Sequence, residues 1–177
     1  RTQLQPPEKT SSLEWAAAAA YAIFNHYNEV YGCMMDFCTA RSCPSMQASN
    51  HWEYKWADGI TIKTPMTIPA VDYCDNLMTW VEEDQLDDQA IFPDAPLLRY
   101  SDRKLMASLK DQWRRLLRIS FHLEYHHRED LEFTQQWQHH RNLLRAVYYL
   151  MKFYRLYSAD YFKPVSAQVA QWKKETE

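Results

Sequence analysis

Two cysteines and a histidine cluster hold the clearest chemistry in this chain. Cys38 and Cys43 form a C-x4-C pair in a polar segment, and His122, His126 and His127 lie together some eighty residues later. Two thiolates and two imidazoles make a closed tetrahedral zinc site, since soft sulfur and borderline nitrogen both suit that ion. Four protein ligands leave no position for water, so such a zinc is structural rather than catalytic. The choice of histidines stays open on spacing alone. His122 and His126 are four apart and share a helix face. His122 and His127 are about 140° apart on an ideal helix, so that pair requires a helix end or a distortion. The simpler alternative is two free thiols and a surface histidine cluster.

Arg114, Arg115 and Arg118 form a second constellation. Arg114 and Arg118 share a helix face, and guanidinium forks bind phosphate bidentately. On residue types alone the plainer reading is a solvated basic face with Asp111–Arg115 as an i,i+4 pair. The third feature is an aromatic helix containing Glu14, Trp15, Tyr21, Phe24 and Tyr27. Its rings read as core, while Trp15, so near the helix start, also suits an interface. His51-Trp52-Glu53 matches half of a deaminase signature, but no P-C-x-x-C follows, so the match carries nothing.

These residues need elements to position them. Residues 1–11 read as a flexible lead-in to one domain over 12–177. A first helix is expected from about Leu13 to about Phe37, capped by Ser11 or Ser12 with Glu14 in its first turn. The Ala16–Ala20 run within it is strongly helix-forming. Residues 38–51 read as a loop. Trp52, Tyr54 and Trp56 then alternate with Glu53 and Lys55, a strand period. A three-residue turn at Ala57-Asp58-Gly59 predicts a hairpin pairing Trp56 with Ile60 and Tyr54 with Ile62.

From Pro69 the period becomes helical, with Val71, Cys74, Leu77, Met78 and Val81 on one stripe. An acidic cluster, Glu82 to Asp88, follows it and opposes the helix dipole, which implies a solvated end or a basic partner. Phe92-Pro93 opens a loop. A long helix from about Asp102 to about His127 carries Leu105, Leu109, Trp113, Leu116 and Leu117. Another spans about Thr134–Leu156, and Pro164 starts a short last helix ending near Lys174. The expected fold is mainly α: a four-helix core with a small hairpin.

Composition excludes several classes. With only two glycines in 177 residues there is no Gly-rich phosphate loop and no dinucleotide fingerprint. A net charge of −3 argues against nucleic-acid binding. No run reaches the 18 apolar residues of a membrane span. Four cysteines without an export signal predict a reducing compartment. The charge is split: residues 1–100 carry 6 basic and 14 acidic side chains, and residues 101–177 carry 14 basic and 9 acidic ones. Partners of opposite charge for the two halves follow from that asymmetry.

Read together, these segments resemble the Mob (Mps-one-binder) family of kinase activators. The resemblance runs through Glu14-Trp15, Phe24-Asn25, Tyr31-Gly32, FCTARSCPSM (Phe37–Met46), WEYKWADG (Trp52–Gly59), LMTWV (Leu77–Val81), QLDD (Gln85–Asp88), RRLLR (Arg114–Arg118) and H-x4-H (His122–His127). It covers nearly the whole chain and weakens after about residue 128. It implies a structural zinc on Cys38, Cys43, His122 and His127, with His127 where the helix ends. It also implies a non-catalytic coactivator that binds the basic, helical N-terminal segment of an NDR/LATS-type Ser/Thr kinase. The matching first-helix positions are Glu14, Trp15, Ala18 and Ala22. Arg114, Arg115 and Arg118 match a trio that binds phosphopeptides from an upstream Hippo-type kinase. The implied setting is cell-cycle, mitotic-exit, cytokinesis or morphogenesis signalling in the cytoplasm, with the nucleus, spindle poles or basal bodies as further addresses.

Several positions depart from the family pattern. Ala22 stands where the kinase-activating branch has an aspartate that hydrogen-bonds the kinase, and Ala18 replaces a larger aliphatic. Thr10 replaces an acidic residue and Thr64 a lysine. VEEDQLDD (Val81–Asp88) is one residue longer than the family's version, which predicts a bulge or an early helix end near Glu82–Asp84. The family's H-L-N-T stretch is missing. The alternative reading is therefore a diverged scaffold that keeps the phosphopeptide site without activating a kinase. A zinc hydrolase, a different class, requires an open metal position that the four-ligand set does not leave.

Overall fold

The computed structural model describes residues 5–93 and 101–174. Of the expectations above, the first residues of the lead-in and most of the loop opened by Phe92-Pro93 lie outside the described residues. The architecture is mainly helical, as expected. α1 spans Ser12–Gly32, α2 Ala70–Val81, α3 Asp102–His126, α4 Arg128–Phe133, α5 Trp137–Phe153 and α6 Ser166–Lys174. No described helix is long and apolar enough to cross a membrane.

α3 is the central rod, packing against α1, α2, α4 and α5. Its predicted stripe of Leu105, Leu109, Trp113, Leu116 and Leu117 is fully buried. Each such leucine contributes about 1.5–3 kcal/mol relative to exposure. α1 buries Ala16, Ala17, Ala20, Ile23, Phe24 and Tyr27 in the same core. The alanines thus form a close-packed face on one side, while Ala18 faces solvent. One buried polar link crosses the α1–α3 seam: the Tyr27 and Ser120 hydroxyls lie 2.8 Å apart.

α1 begins with a reciprocal cap. The Glu14 N–H donates to Ser11 Oγ at 3.1 Å, and the Ser11 N–H donates to Glu14 Oε2 at 2.9 Å. The helix stops at Gly32, short of the predicted Phe37. There the Met34 carbonyl accepts the N–H groups of both Phe37 and Cys38, at 3.0 and 2.8 Å. That turn carries Cys38 inward. Tyr21, expected in the core, is 41% exposed; its hydroxyl donates to the Leu86 carbonyl and its ring sits edge-on to Phe92.

The hairpin differs from the expected one. β1 (Gln47–Ser49) pairs antiparallel with β2 (Trp52–Glu53), with Gln47 opposite Glu53 and Ser49 opposite Trp52. Trp56 exchanges both backbone hydrogen bonds with Met66 rather than pairing with Ile60. The cause is Asp58, whose Oδ1 accepts the N–H groups of Ile60 and Ile62 at 2.8 Å each. This winds residues 58–62 into a loop that a tight hairpin turn cannot accommodate. Gly59 does take the predicted left-handed conformation, at φ 84°. Trp56 is buried, edge-on to Tyr73.

The extra residue after α2 is absorbed as predicted. Glu82–Leu86 forms a π-helical turn, in which the Asp87 N–H donates to the Glu82 carbonyl at 3.0 Å. The bulge aims Gln85 at α3, where its Oε1 accepts the Ser108 hydroxyl at 2.8 Å. Glu82, Glu83 and Asp84 stay exposed, so the acidic cluster is a solvated helix end. Near the C-terminus, α4 is a short helix that periodicity did not reveal, and α5 starts at Trp137 rather than Thr134. Pro164 lies inside a 3-10 turn, Ala159–Val165, and the last helix begins after it at Ser166.

Candidate metal centre and binding faces

Cys38, Cys43, His122 and His127 converge on one buried point. Their ligand atoms all lie within 4.8 Å of one another. Cys38 Sγ is 3.4 Å from His122 Nε2, and Cys43 Sγ is 3.3 Å from His127 Nε2. Each pair joins residues 84 apart, so the loop after α1 supplies the thiols and the end of α3 the imidazoles. His127 rather than His126 joins the cluster because α3 ends at His126. The backbone of His127, at φ −129° and ψ 24°, has left helical geometry and turns its ring inward. His126 shares a face with His122, their rings 4.9 Å apart, yet it stays exposed.

Each imidazole is oriented from behind. His122 Nδ1 lies 2.7 Å from the Gln47 carbonyl and His127 Nδ1 lies 2.8 Å from Asp130 Oδ2. A proton on each Nδ1 donates to those acceptors and leaves each Nε2 lone pair free for an ion. Sequence reasoning missed both partners. Asp130 had a usable signal, a carboxylate three residues past a candidate ligand in the first turn of a helix. Gln47 contributes only its backbone, so its side chain gave none.

Burial, with the Cys43 thiol beside it, pushes the Cys38 pKa up to about 12. Burial pulls the His122 pKa down to about 4, keeping the ring neutral near pH 7. The four donors therefore suit a dication, which displaces the Cys38 proton and meets a neutral His122 ring.

Arg114, Arg115 and Arg118 line one partly exposed face of α3. Arg115 lies 4.5 Å above the Trp80 ring, donates to the Ala57 carbonyl at 3.0 Å and pairs with Asp111 at 3.5 Å. Arg114 also pairs with Asp111. Arg118 donates to the Tyr73 hydroxyl and sits over the Tyr54 ring at 5.2 Å. The expected Asp111–Arg115 pair is present. Among the described residues, however, Asp111 is the carboxylate paired with Arg114 and Arg115, and none pairs with Arg118, which leaves this face positive.

Trp15, Ala18 and Ala22 line a groove of about 420 Å³ between α1 and α5, opposite Leu143 and Ala146. Glu14, the residue before Trp15, is exposed. Hydrogen bonds from Ser11 hold its carboxyl below the usual range.

A mainly helical bundle clasped by a buried two-cysteine, two-histidine cluster, whose four donors suit a metal held with no face left for substrate, defines the class of protein. The chain belongs to the Mob1/phocein family, whose model matches residues 1–165. Mob family kinase activators are non-catalytic. It is 35% identical to MOB kinase activator-like 1 homolog C of Dictyostelium discoideum over 151 residues, 85% of this chain and 68% of that protein. It is 34% identical to homolog A of the same organism over 141 residues, 79% of this chain and 65% of that one. MOB kinase activator-like 1A of Medicago sativa subsp. falcata is 36% identical over 130 residues, 72% of this chain and 58% of the relative. The chain thus spans between 58% and 68% of the length of these relatives.

Proposed function

We propose that this chain is a zinc-stabilised coactivator of an NDR/LATS-type Ser/Thr kinase. The kinase's basic, helical N-terminal segment lies in the α1–α5 groove. One observation carries the reading: Trp15, Ala18 and Ala22, three of the positions that the family resemblance matches to kinase contact, border a single groove. The acidic excess of residues 1–100 favours a basic segment there. The relatives' names, kinase activator-like, point the same way. Binding orders the segment and shifts the kinase towards its active arrangement.

Zinc fits the buried cluster by ligand chemistry and by spacing. Zn–S of about 2.3 Å and Zn–N of about 2.0–2.1 Å in a tetrahedron put sulfur and nitrogen roughly 3.5 Å apart. The Sγ–Nε2 separations of 3.4 and 3.3 Å are close to that. The Arg114, Arg115 and Arg118 face takes a phosphorylated segment of an upstream Hippo-type kinase, whose dianion the surplus guanidinium charge suits.

The test is calorimetry of the chain with the N-terminal regulatory segment of an NDR-type kinase from the same organism, beside Trp15→Ala. Micromolar or tighter binding that the substitution weakens supports the coactivator. A second reading rests on Ala18 and Ala22, which present only methyl groups to the groove. A scaffold that binds phosphopeptide without activating an NDR-type kinase predicts no calorimetric signal with that segment while the zinc stays bound.

A further inference from the structure

A second group of metal-ligating side chains lies away from the buried cluster. His26 and Glu29 are three apart on α1 and share a face. His26 Nδ1 is 3.2 Å from Glu29 Oε2. His139, in the first turn of α5, brings its Nε2 to 3.8 Å from the same oxygen. The three ligand atoms lie within 4.8 Å of one another, and the two imidazole rings are 5.0 Å apart.

We propose that His26, Glu29 and His139 form a second divalent-metal site, on the surface, bridging α1 and α5 at the edge of the groove. Two imidazoles and one carboxylate are ligands of the zinc class rather than of calcium or magnesium, which take oxygen donors. A tetrahedral ion with ligands at about 2.0–2.1 Å needs ligand atoms roughly 3.3 Å apart. The His26–Glu29 edge already has that length. The Glu29–His139 edge reaches it by a small side-chain movement, which the 67% exposure of Glu29 leaves free. His139 Nε2 is buried and makes no hydrogen bond among the described residues. A buried polar atom left so is costly, and an ion bound to its lone pair removes that cost.

Three donors leave a coordination position open, unlike the closed set at the buried cluster. Because His26 and His139 also line the α1–α5 groove, the open position borders the surface where a partner segment would lie. A water, or a histidine or carboxylate from the partner, completes the sphere. The site needs only this chain's own side chains, so it stands whether or not a kinase segment occupies the groove.

The decisive experiment titrates zinc chloride calorimetrically into protein already carrying one equivalent of zinc, at neutral pH. The parent chain and the His26→Gln and His139→Gln variants are compared, each first checked for retained zinc and an unchanged melting temperature. His26 is half-exposed, so His26→Gln leaves the fold intact even where His139→Gln disturbs it. The expected result is one further saturable equivalent of micromolar affinity in the parent, weakened at least tenfold in both folded variants. No further saturable equivalent in the parent overturns the site. A second equivalent that persists in either folded variant also overturns it, because the ion is then held elsewhere, for example by the exposed thiol of Cys33.

Discussion

The Asp130 carboxylate accepts a hydrogen bond from His127 Nδ1 at 2.8 Å, and this contact sets the ring that faces Cys43. Asp130 sits in the first turn of α4, the helix that starts where α3 breaks. The break brings the ligand inward and places its orienting partner three residues later. Replacing Asp130 by Asn removes that carboxylate but no metal ligand. Zinc affinity, measured by chelator competition, should fall about 10–100-fold. Unchanged affinity would show that the ring is oriented by packing alone.

Cys38→Ser removes a ligand outright. The variant should lose bound zinc by elemental analysis and lose the stability that the ion supplies. That amounts to about 3–4 kcal/mol where free zinc is a hundred- to a thousandfold above Kd. Parent-like metal content together with a parent-like melting temperature would remove Cys38 from the ligand set.

Zinc affinity should also depend on pH with a definite sign. Without metal, the Cys38 thiol is pushed up to about 12 and holds its proton throughout the neutral range. Binding must displace that proton, so apparent affinity rises with pH by at least about tenfold per unit. His122, pulled down to about 4, is already neutral in this range and contributes no slope there. Chelator competition between about pH 6 and 8 measures the slope, and a flat profile would contradict a displaced thiol proton.

The arginine face makes a separable prediction. Arg114→Ala with Arg118→Ala should weaken a phosphothreonine peptide by at least about tenfold per guanidinium, since charged hydrogen bonds contribute about 1.5–3 kcal/mol each. Both side chains are only partly buried, so circular dichroism and zinc content should match the parent. Fluorescence polarisation with the phosphorylated and unphosphorylated peptides reads the outcome. Equal affinity of the double variant and the parent would move the phosphate elsewhere.

The Tyr27–Ser120 hydroxyl pair tests the α1–α3 seam. Tyr27→Phe strands a fully buried Ser120 hydroxyl and should cost about 1–3 kcal/mol in urea unfolding. Adding Ser120→Ala should recover part of that loss, because the stranded group is then gone. A single-variant loss below about half a kcal/mol would mean that buried water serves Ser120 instead.

Which parts of this molecule could be read from its residues follows from the range of the forces involved. The stripe of α3 and the cap at Ser11 and Glu14 are local patterns, and both are present. The Cys38–Cys43 pair was readable as half a metal site because C-x4-C is local as well. His127 over His126 was not derivable from helix geometry, which favours His126; it depends on where α3 stops. The family resemblance supplied it, and the structure gives the reason. The Trp56–Ile60 pairing failed because alternation carries no information on Asp58, whose carboxylate collects two backbone amides and lengthens the turn. The π-helical turn at Glu82–Leu86 was foreseeable only as one surplus residue. That its purpose includes bringing Gln85 to Ser108 is a tertiary fact.

The 84-residue gap between each thiol and its imidazole also has a consequence during synthesis. At roughly 5–20 residues per second, about 4–17 s separate the appearance of Cys38 from that of His122. For most of that interval the nascent chain carries both loop thiols without their imidazole partners. Oxidation of either thiol in that interval would remove a donor before the imidazoles arrive, so the yield of correctly assembled protein is expected to fall under oxidising conditions of synthesis.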